Sequence, residues 1–272
     1  MTLKRSCTYR MKLNSEKTQF IRLLPFCVSF FCLFSCGGQQ GEEILKLKPA
    51  YPAIGVERET KAEEEEPAED QGIRICIDPG HGFDDVGCSS DYLLNDREEK
   101  DMTMLYAKAL QDKLEQMGYT VILTHDGVSF PQEFNFNNNN IFSADERAAY
   151  VNSLDVDYLL SLHCDTFEED YSIGGTRVYY YDTDIKTATY SDAIANSISA
   201  YLAKEFPDVK VPSVHDNQPY IVLRETTTAS ALLEIGFISN KTDAENIQDA
   251  VWQEKFIIGV TAGIDSYFSL YQ

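Results

Sequence analysis

The chain is poor in basic residues, histidine and usable cysteine, and each shortage removes a class of function. Lys and Arg number 23 against 44 Asp and Glu, a formal net charge of -21. A nucleic-acid duplex would be repelled by that field, so no nucleic-acid partner is expected. Of seven cysteines, Cys7, Cys27, Cys32 and Cys36 crowd into the N-terminal segment, leaving Cys76, Cys88 and Cys164 for the body. Three cysteines without a CxxC pair make neither a disulfide framework nor a cysteine-ligated zinc site. Cys76 lies in a predicted strand and reads as an inert core residue, while a Cys88–Cys164 bridge has nothing to support it. There are four histidines and no H-E-x-x-H helix. No internal repeat is visible, and no apolar run reaches the roughly 20 residues of a membrane span.

What is present divides into three parts. Residues 1–36 carry Lys4, Arg5, Arg10, Lys12, Lys17 and Arg22 ahead of an apolar run from Leu23 to Phe34. This reads as a lipoprotein signal peptide. Its end, Leu33-Phe34-Ser35-Cys36-Gly37, resembles a bacterial lipobox, which implies acylation of Cys36 and attachment to a membrane through that lipid. The alternatives are a plain secretory signal or a single anchor helix. Residues 37–71, with the run Glu63 to Glu66, read as an acidic flexible linker. The expected location is the cell envelope, facing the periplasm, with the outer membrane favoured.

From Gly72 the pattern becomes strands alternating with helices, which predicts one α/β domain over 72–272 with a mostly parallel central sheet flanked by helices. Predicted strands cover Ile73 to Ile77, Tyr119 to Thr124, Tyr158 to Leu162, Thr176 to Tyr181, Tyr220 to Leu223 and Ala231 to Ile235. Predicted helices cover Asp101 to Met117, with Gly118 as C-terminal cap, and Trp252 to Phe268. A third opens on the capping box Ser143-Ala144-Asp145-Glu146, and a fourth ends near Lys204. Asp126-Gly127 leads into an asparagine-rich insertion expected to be exposed and mobile.

Four polar residues stand in or at the ends of these elements. Asp78-Pro79-Gly80 breaks the first strand and presents His81 at its carboxyl end, where open α/β sheets bind ligands and metals. His163 follows the third strand directly, Glu234 interrupts an apolar strand, and Glu99 opens the first long helix. Two imidazoles and a carboxylate make the donor set of a catalytic zinc ion, and the remaining carboxylate is then free to move a proton. Spacing alone does not show that these residues converge.

From Ile73 onward the chain resembles the zinc-dependent N-acetylmuramoyl-L-alanine amidases of the amidase family 3 type. The matching pieces are Ile77 to Gly82 with Asp85 and Gly87, Glu99-Lys100-Asp101, Arg147 with Asn152, Ser161-Leu162-His163, and Leu233 to Asn240. They follow in the same order and cover nearly the whole domain. The resemblance implies Zn2+ held by His81, Glu99 and His163, with Glu234 as the catalytic carboxylate. It also implies peptidoglycan or muropeptides as substrate, cut at the amide joining the lactyl group of N-acetylmuramic acid to L-alanine. Glu98 competes with Glu99 for the metal, and Asp78 either accepts a hydrogen bond from His81 or caps the turn.

The sequence departs from the family at Phe83, Cys88, His125 and Asp165, which places the difference at the rim of the cleft. His125 and His215 read as surface loop residues. Cys164 to Ile173 is too short for the helical lid of some members, although the segment from Gly127 to Phe142 is long enough to gate the site. Nothing calls for an obligate oligomer, so a monomer is expected. The competing readings are a non-catalytic wall-binding or regulatory lipoprotein of the same fold, and a zinc peptidase or amidohydrolase with another substrate.

Overall fold

The computed structural model describes residues 72–181, 185–209, 213–215 and 220–270. The signal segment, Cys36 and the acidic linker lie outside the described residues. Six strands form one sheet: β1 (Arg74–Pro79), β2 (Thr120–Leu123), β3 (Tyr158–Asp165), β4 (Arg177–Tyr180), β5 (Ser213–His215) and β6 (Ala229–Phe237). Their spatial order is β2-β1-β3-β6-β4-β5. β2, β1, β3 and β6 run parallel, β4 is antiparallel to β6, and β5 is parallel to β4. The predicted α/β domain with a mostly parallel sheet is the fold observed.

The helices are α1 (Glu99–Gln116), α2 (Ala144–Ser153), α3 (Ile185–Glu205), α4 (Ile221–Glu225), α5 (Lys241–Asn246) and α6 (Ala250–Phe268). α1 opens on Glu98, whose side chain and that of Asp101 close a reciprocal capping box. The box predicted at Ser143 and Glu146 forms in the same way. The run Tyr220 to Leu223 is not a strand: Ile221 begins α4, and the strand follows at Ala229. A short apolar run has no periodicity long enough to separate the two states, and packing against α2 decides it here. β5 was not foreseen because three residues carry almost no pattern.

Strand alternation divides the core into two unequal faces. Ile75, Ile77, Leu160, Leu162, Leu233 and Ile235 point into the larger core, among side chains of α1, α3 and α6 such as Leu110, Ile198 and Val260. The alternate residues Cys76, Leu159 and Leu232 point to the smaller core beside Val151 of α2 and Val222 of α4. Each such fully buried aliphatic side chain contributes roughly 1.5–3 kcal/mol of transfer free energy, so the central strands anchor the domain. On the smaller face the alternation does not end in apolar residues. It runs Cys76–Asp78 on β1, Leu159–Ser161–His163 on β3 and Leu232–Glu234 on β6. The polar end of three central strands is thereby gathered on one face and at one edge.

Among the described residues no helix is long and apolar enough to cross a membrane.

Candidate active site

The turn after β1 is built from unusual backbone. His81 (φ 67), Gly82 (φ 125) and Phe83 (φ 57) are consecutive left-handed residues. Two of them carry bulky side chains that disfavour this region, so the turn must be held from outside. Gly82 and Asp85 exchange both backbone hydrogen bonds, at 2.8 and 3.0 Å. The Lys100 Nζ donates to the Phe83 carbonyl at 2.8 Å. The result is that His81 Nδ1 meets Asp85 Oδ2 at 2.9 Å, leaving Nε2 facing Glu99 Oε1 at 3.2 Å.

Glu99 is almost fully buried and heavily bonded. His163 Nδ1 lies 3.0 Å from its Oε1, which also accepts the Cys164 backbone N–H at 3.0 Å. Its Oε2 accepts the Cys88 N–H at 2.8 Å. One ligand atom each from His81, Glu99 and His163 falls within 4.8 Å of the others. The two imidazoles meet edge to face at 4.8 Å between centroids. Glu98 is outside this group and occupied as the cap of α1, which removes it from the competition. Two glycines make the approach possible. A Cβ on Gly80 would stand 2.4 Å from His163 Cε1, and one on Gly87 (φ +69) would stand 2.6 Å from Glu99 Oε2.

Charge is distributed unevenly across the cluster. Burial works against ionisation of Glu99, but the hydrogen bonds and charges of His163 and His81 hold its carboxyl far below the usual range. Burial also opposes a charged His81, yet Asp85 and Glu99 push it up to about 10. Burial depresses His163 despite the Glu99 bond. The set therefore combines an anionic carboxylate, one neutral imidazole, and one imidazole that gives up its proton when a cation replaces it. That is a donor set suited to zinc.

Glu234 is the register partner of His163 across β3 and β6, and it is 5% exposed. Its Oε2 is buried with no hydrogen-bond partner. Burial, then the charges of Asp165 and Glu99, push its carboxyl well above the ordinary value. A carboxyl of this kind beside a cation site is poised to take and return a proton.

The structure corrects three expectations. Asp78 does not touch His81. It is fully buried, accepts hydrogen bonds from Thr124 (2.7 Å) and Ser161 (2.8 Å), and pairs with Arg147 Nε at 2.8 Å. Asp85, four residues after His81, is the acceptor instead, because the left-handed turn folds it back. His125 is not on the surface. It is 5% exposed, with Nε2 2.9 Å from the Pro79 carbonyl and Phe83 packed on its ring at 5.2 Å between centroids. Two departures from the family pattern thus pack on one another. His215 belongs to β5, an edge strand rather than a loop.

Cys76, Cys88 and Cys164 form no disulfide, so no Cys88–Cys164 bridge exists. The asparagine run Asn137 to Asn140 is exposed, as expected, and the segment is anchored at its ends: Phe130 and Phe142 are buried and stacked at 4.8 Å, and Asn140 donates to Asp84 at 2.8 Å. Arg177, unremarked in the sequence, stands opposite Glu234 on β4. No local signal marks it, because the pairing is between residues 57 positions apart on antiparallel strands.

The family model for N-acetylmuramoyl-L-alanine amidase matches residues 75–266. The Staphylococcus aureus protein named "Probable cell wall amidase LytH" is 32% identical over 201 residues, which is 73% of this chain and 60% of that protein. The chain thus spans less than two thirds of the length of that relative. Among solved structures, the N-acetylmuramoyl-L-alanine amidase of Clostridium difficile 630 superposes with a TM-score of 0.61 at 23% identity, covering 73% of this chain and 98% of that one. The catalytic domain of CwlV, from Bacillus (Paenibacillus) polymyxa, gives 0.59 at 24%, covering 72% and 98%. At these identities the two structures speak for the fold.

Proposed function

The chain belongs to the N-acetylmuramoyl-L-alanine amidase family, and on that premise we propose that it hydrolyses the lactyl–L-alanine amide of peptidoglycan with the help of zinc. The observation that carries the reading is the convergence of His81, Glu99 and His163 beside a buried, unpartnered carboxyl oxygen of Glu234. His81, Glu99 and His163 would hold the metal. When bound, zinc polarises the scissile carbonyl and brings a water towards ionisation near neutral pH. Asp85 fixes the tautomer and plane of His81 by taking its Nδ1 proton in a hydrogen bond. The Cys88 and Cys164 amides hold both oxygens of Glu99 in place. Glu234 takes a proton from the attacking water and returns it to the departing amine of L-alanine.

A non-catalytic wall-binding role is not favoured, since such a role needs neither the converged donor set nor the raised carboxyl. The N-terminal 36 residues would deliver the domain to the envelope, with Cys36 acylated and the acidic linker as tether. A Cys36→Ala chain that stays in the membrane fraction with unchanged mass would overturn that part. The activity is tested with purified chain and isolated peptidoglycan, with and without a chelator. Release of stem peptides with new L-alanine amino termini, lost on chelation and restored by zinc, is expected. Absence of release from zinc-loaded protein refutes the reading.

A further inference from the structure

The row of paired residues that carries His163 and Glu234 continues one strand further, to Arg177. Register places His163 opposite Glu234 and Glu234 opposite Arg177, so the three side chains leave the sheet on one face. Alternation agrees: Arg177 is two residues from Tyr179, whose ring belongs to the smaller core. The guanidinium carbon sits 4.5 Å over the Phe237 ring, which fixes its plane. Its polar contacts are long, 3.5 Å from Nη1 to Asp165 Oδ2 and 3.4 Å to the Tyr179 hydroxyl. A committed arginine–carboxylate pair closes to about 2.7–2.9 Å, and a guanidinium carries five donors. The side chain keeps 28% of its surface exposed.

Among the described residues, the neighbouring cations are committed elsewhere. Arg147 is buried against Asp78 and the Phe142 carbonyl, and Lys100 reaches the Phe83 carbonyl and Glu98. The remaining charged groups around the cluster, Asp85, Glu99, Asp165 and Glu234, are acids. Among the described residues, Arg177 is thus the side-chain cation on this face with long polar contacts and donors left over for an anionic group of the peptide.

We propose that Arg177 binds a free carboxylate of the stem peptide, that of the second residue, just beyond the scissile amide. The inference rests on the amidase reading above. Its reach fits: adjacent strands lie roughly 4.8 Å apart, so the Arg177 backbone is about 10 Å from that of His163. The arginine side chain covers part of that span, and an extended peptide covers about 3.4 Å per residue. The ionised group then falls one to two residues from the bond that breaks.

The test uses the zinc-loaded full chain in detergent and two muramoyl peptides identical except that the second residue's carboxylate is free or capped as an amide. The wild-type chain should prefer the free acid by about tenfold or more in kcat/KM, mostly through KM. In Arg177→Gln that ratio should fall to within about twofold of one, and Arg177→Lys should keep part of it, since a point charge survives without the fork. Equal turnover of both substrates by the wild-type chain overturns the assignment while leaving the amidase reading intact. So does an Arg177→Gln chain that is slowed on both by one factor, as a mere partner of Asp165 would be. If the wild-type chain cuts neither, the amidase reading fails and the subsite falls with it.

Discussion

Replacing Glu234 by Gln keeps the shape of the side chain and removes its ability to ionise, so it should slow turnover steeply while making the metal-free domain more stable. The two effects share one cause. Glu234 is buried, one oxygen lacks any partner, and Asp165 and Glu99 add like charge. Its folded pKa therefore lies above its unfolded one. A carboxyl shifted in this direction leaves stability intact below the unfolded value, about 4.3, and removes it as pH climbs through the folded value. Each unit of that rise corresponds to about 1.4 kcal/mol. For a domain of roughly 200 residues that is about 3–5 °C in Tm. The chelator-treated variant should thus melt higher than wild type at pH 8, and the gap should close as pH falls towards the unfolded value. With zinc restored, the variant should bind metal but lose about a hundred- to ten-thousandfold in kcat, the range for removing a general base. Thermal melts followed by circular dichroism and peptide-release kinetics on one preparation decide it. A variant that melts lower at pH 8 and still turns over would show that Glu234 is an ordinary structural residue.

Zinc uptake should release close to one proton near pH 7, because His81 is protonated there while His163 is neutral. Calorimetry in buffers of different ionisation enthalpy measures it, and an uptake free of buffer dependence contradicts the assignment. The same shift makes the metal-free fold lose the His81 contribution as pH rises from about 6.5 through the folded value of about 10. Gly87→Ala should weaken zinc binding by about tenfold or more, since the new methyl meets Glu99 and His81 at 2.6 and 2.7 Å on a φ of +69. A competition titration with a chromophoric chelator reads the loss, and wild-type affinity would mean the loop relaxes freely. Asp78→Ala strands the buried Arg147 and should cost about 3–5 kcal/mol, seen in denaturant unfolding. A cost under about 1 kcal/mol would place the ion pair's role elsewhere.

The sequence alone determined the layered α/β class, because hydrophobic periodicity and caps are local. Val, Ile and Leu runs bounded by Gly and Pro read as strands, and the box at Ser143 sits within four residues of its own helix. It also singled out His81 and His163 at strand ends, Glu234 inside an apolar strand and Glu99 at a helix start, with their roles implied by the family resemblance. What it did not hold was any relation between distant positions. Asp85 rather than Asp78 faces His81 because three consecutive left-handed residues reverse the chain. His125 is buried because the turn it supports and the Phe83 ring close over it. Ile221 to Glu225 is a helix because α2 offers it a partner, not because its residues prefer one. Arg177 reached the site through an antiparallel register that pattern cannot express. Local free energy chose the elements; only their packing decided which charges share a cleft, since burial and Coulomb interaction depend on distances in space rather than along the chain.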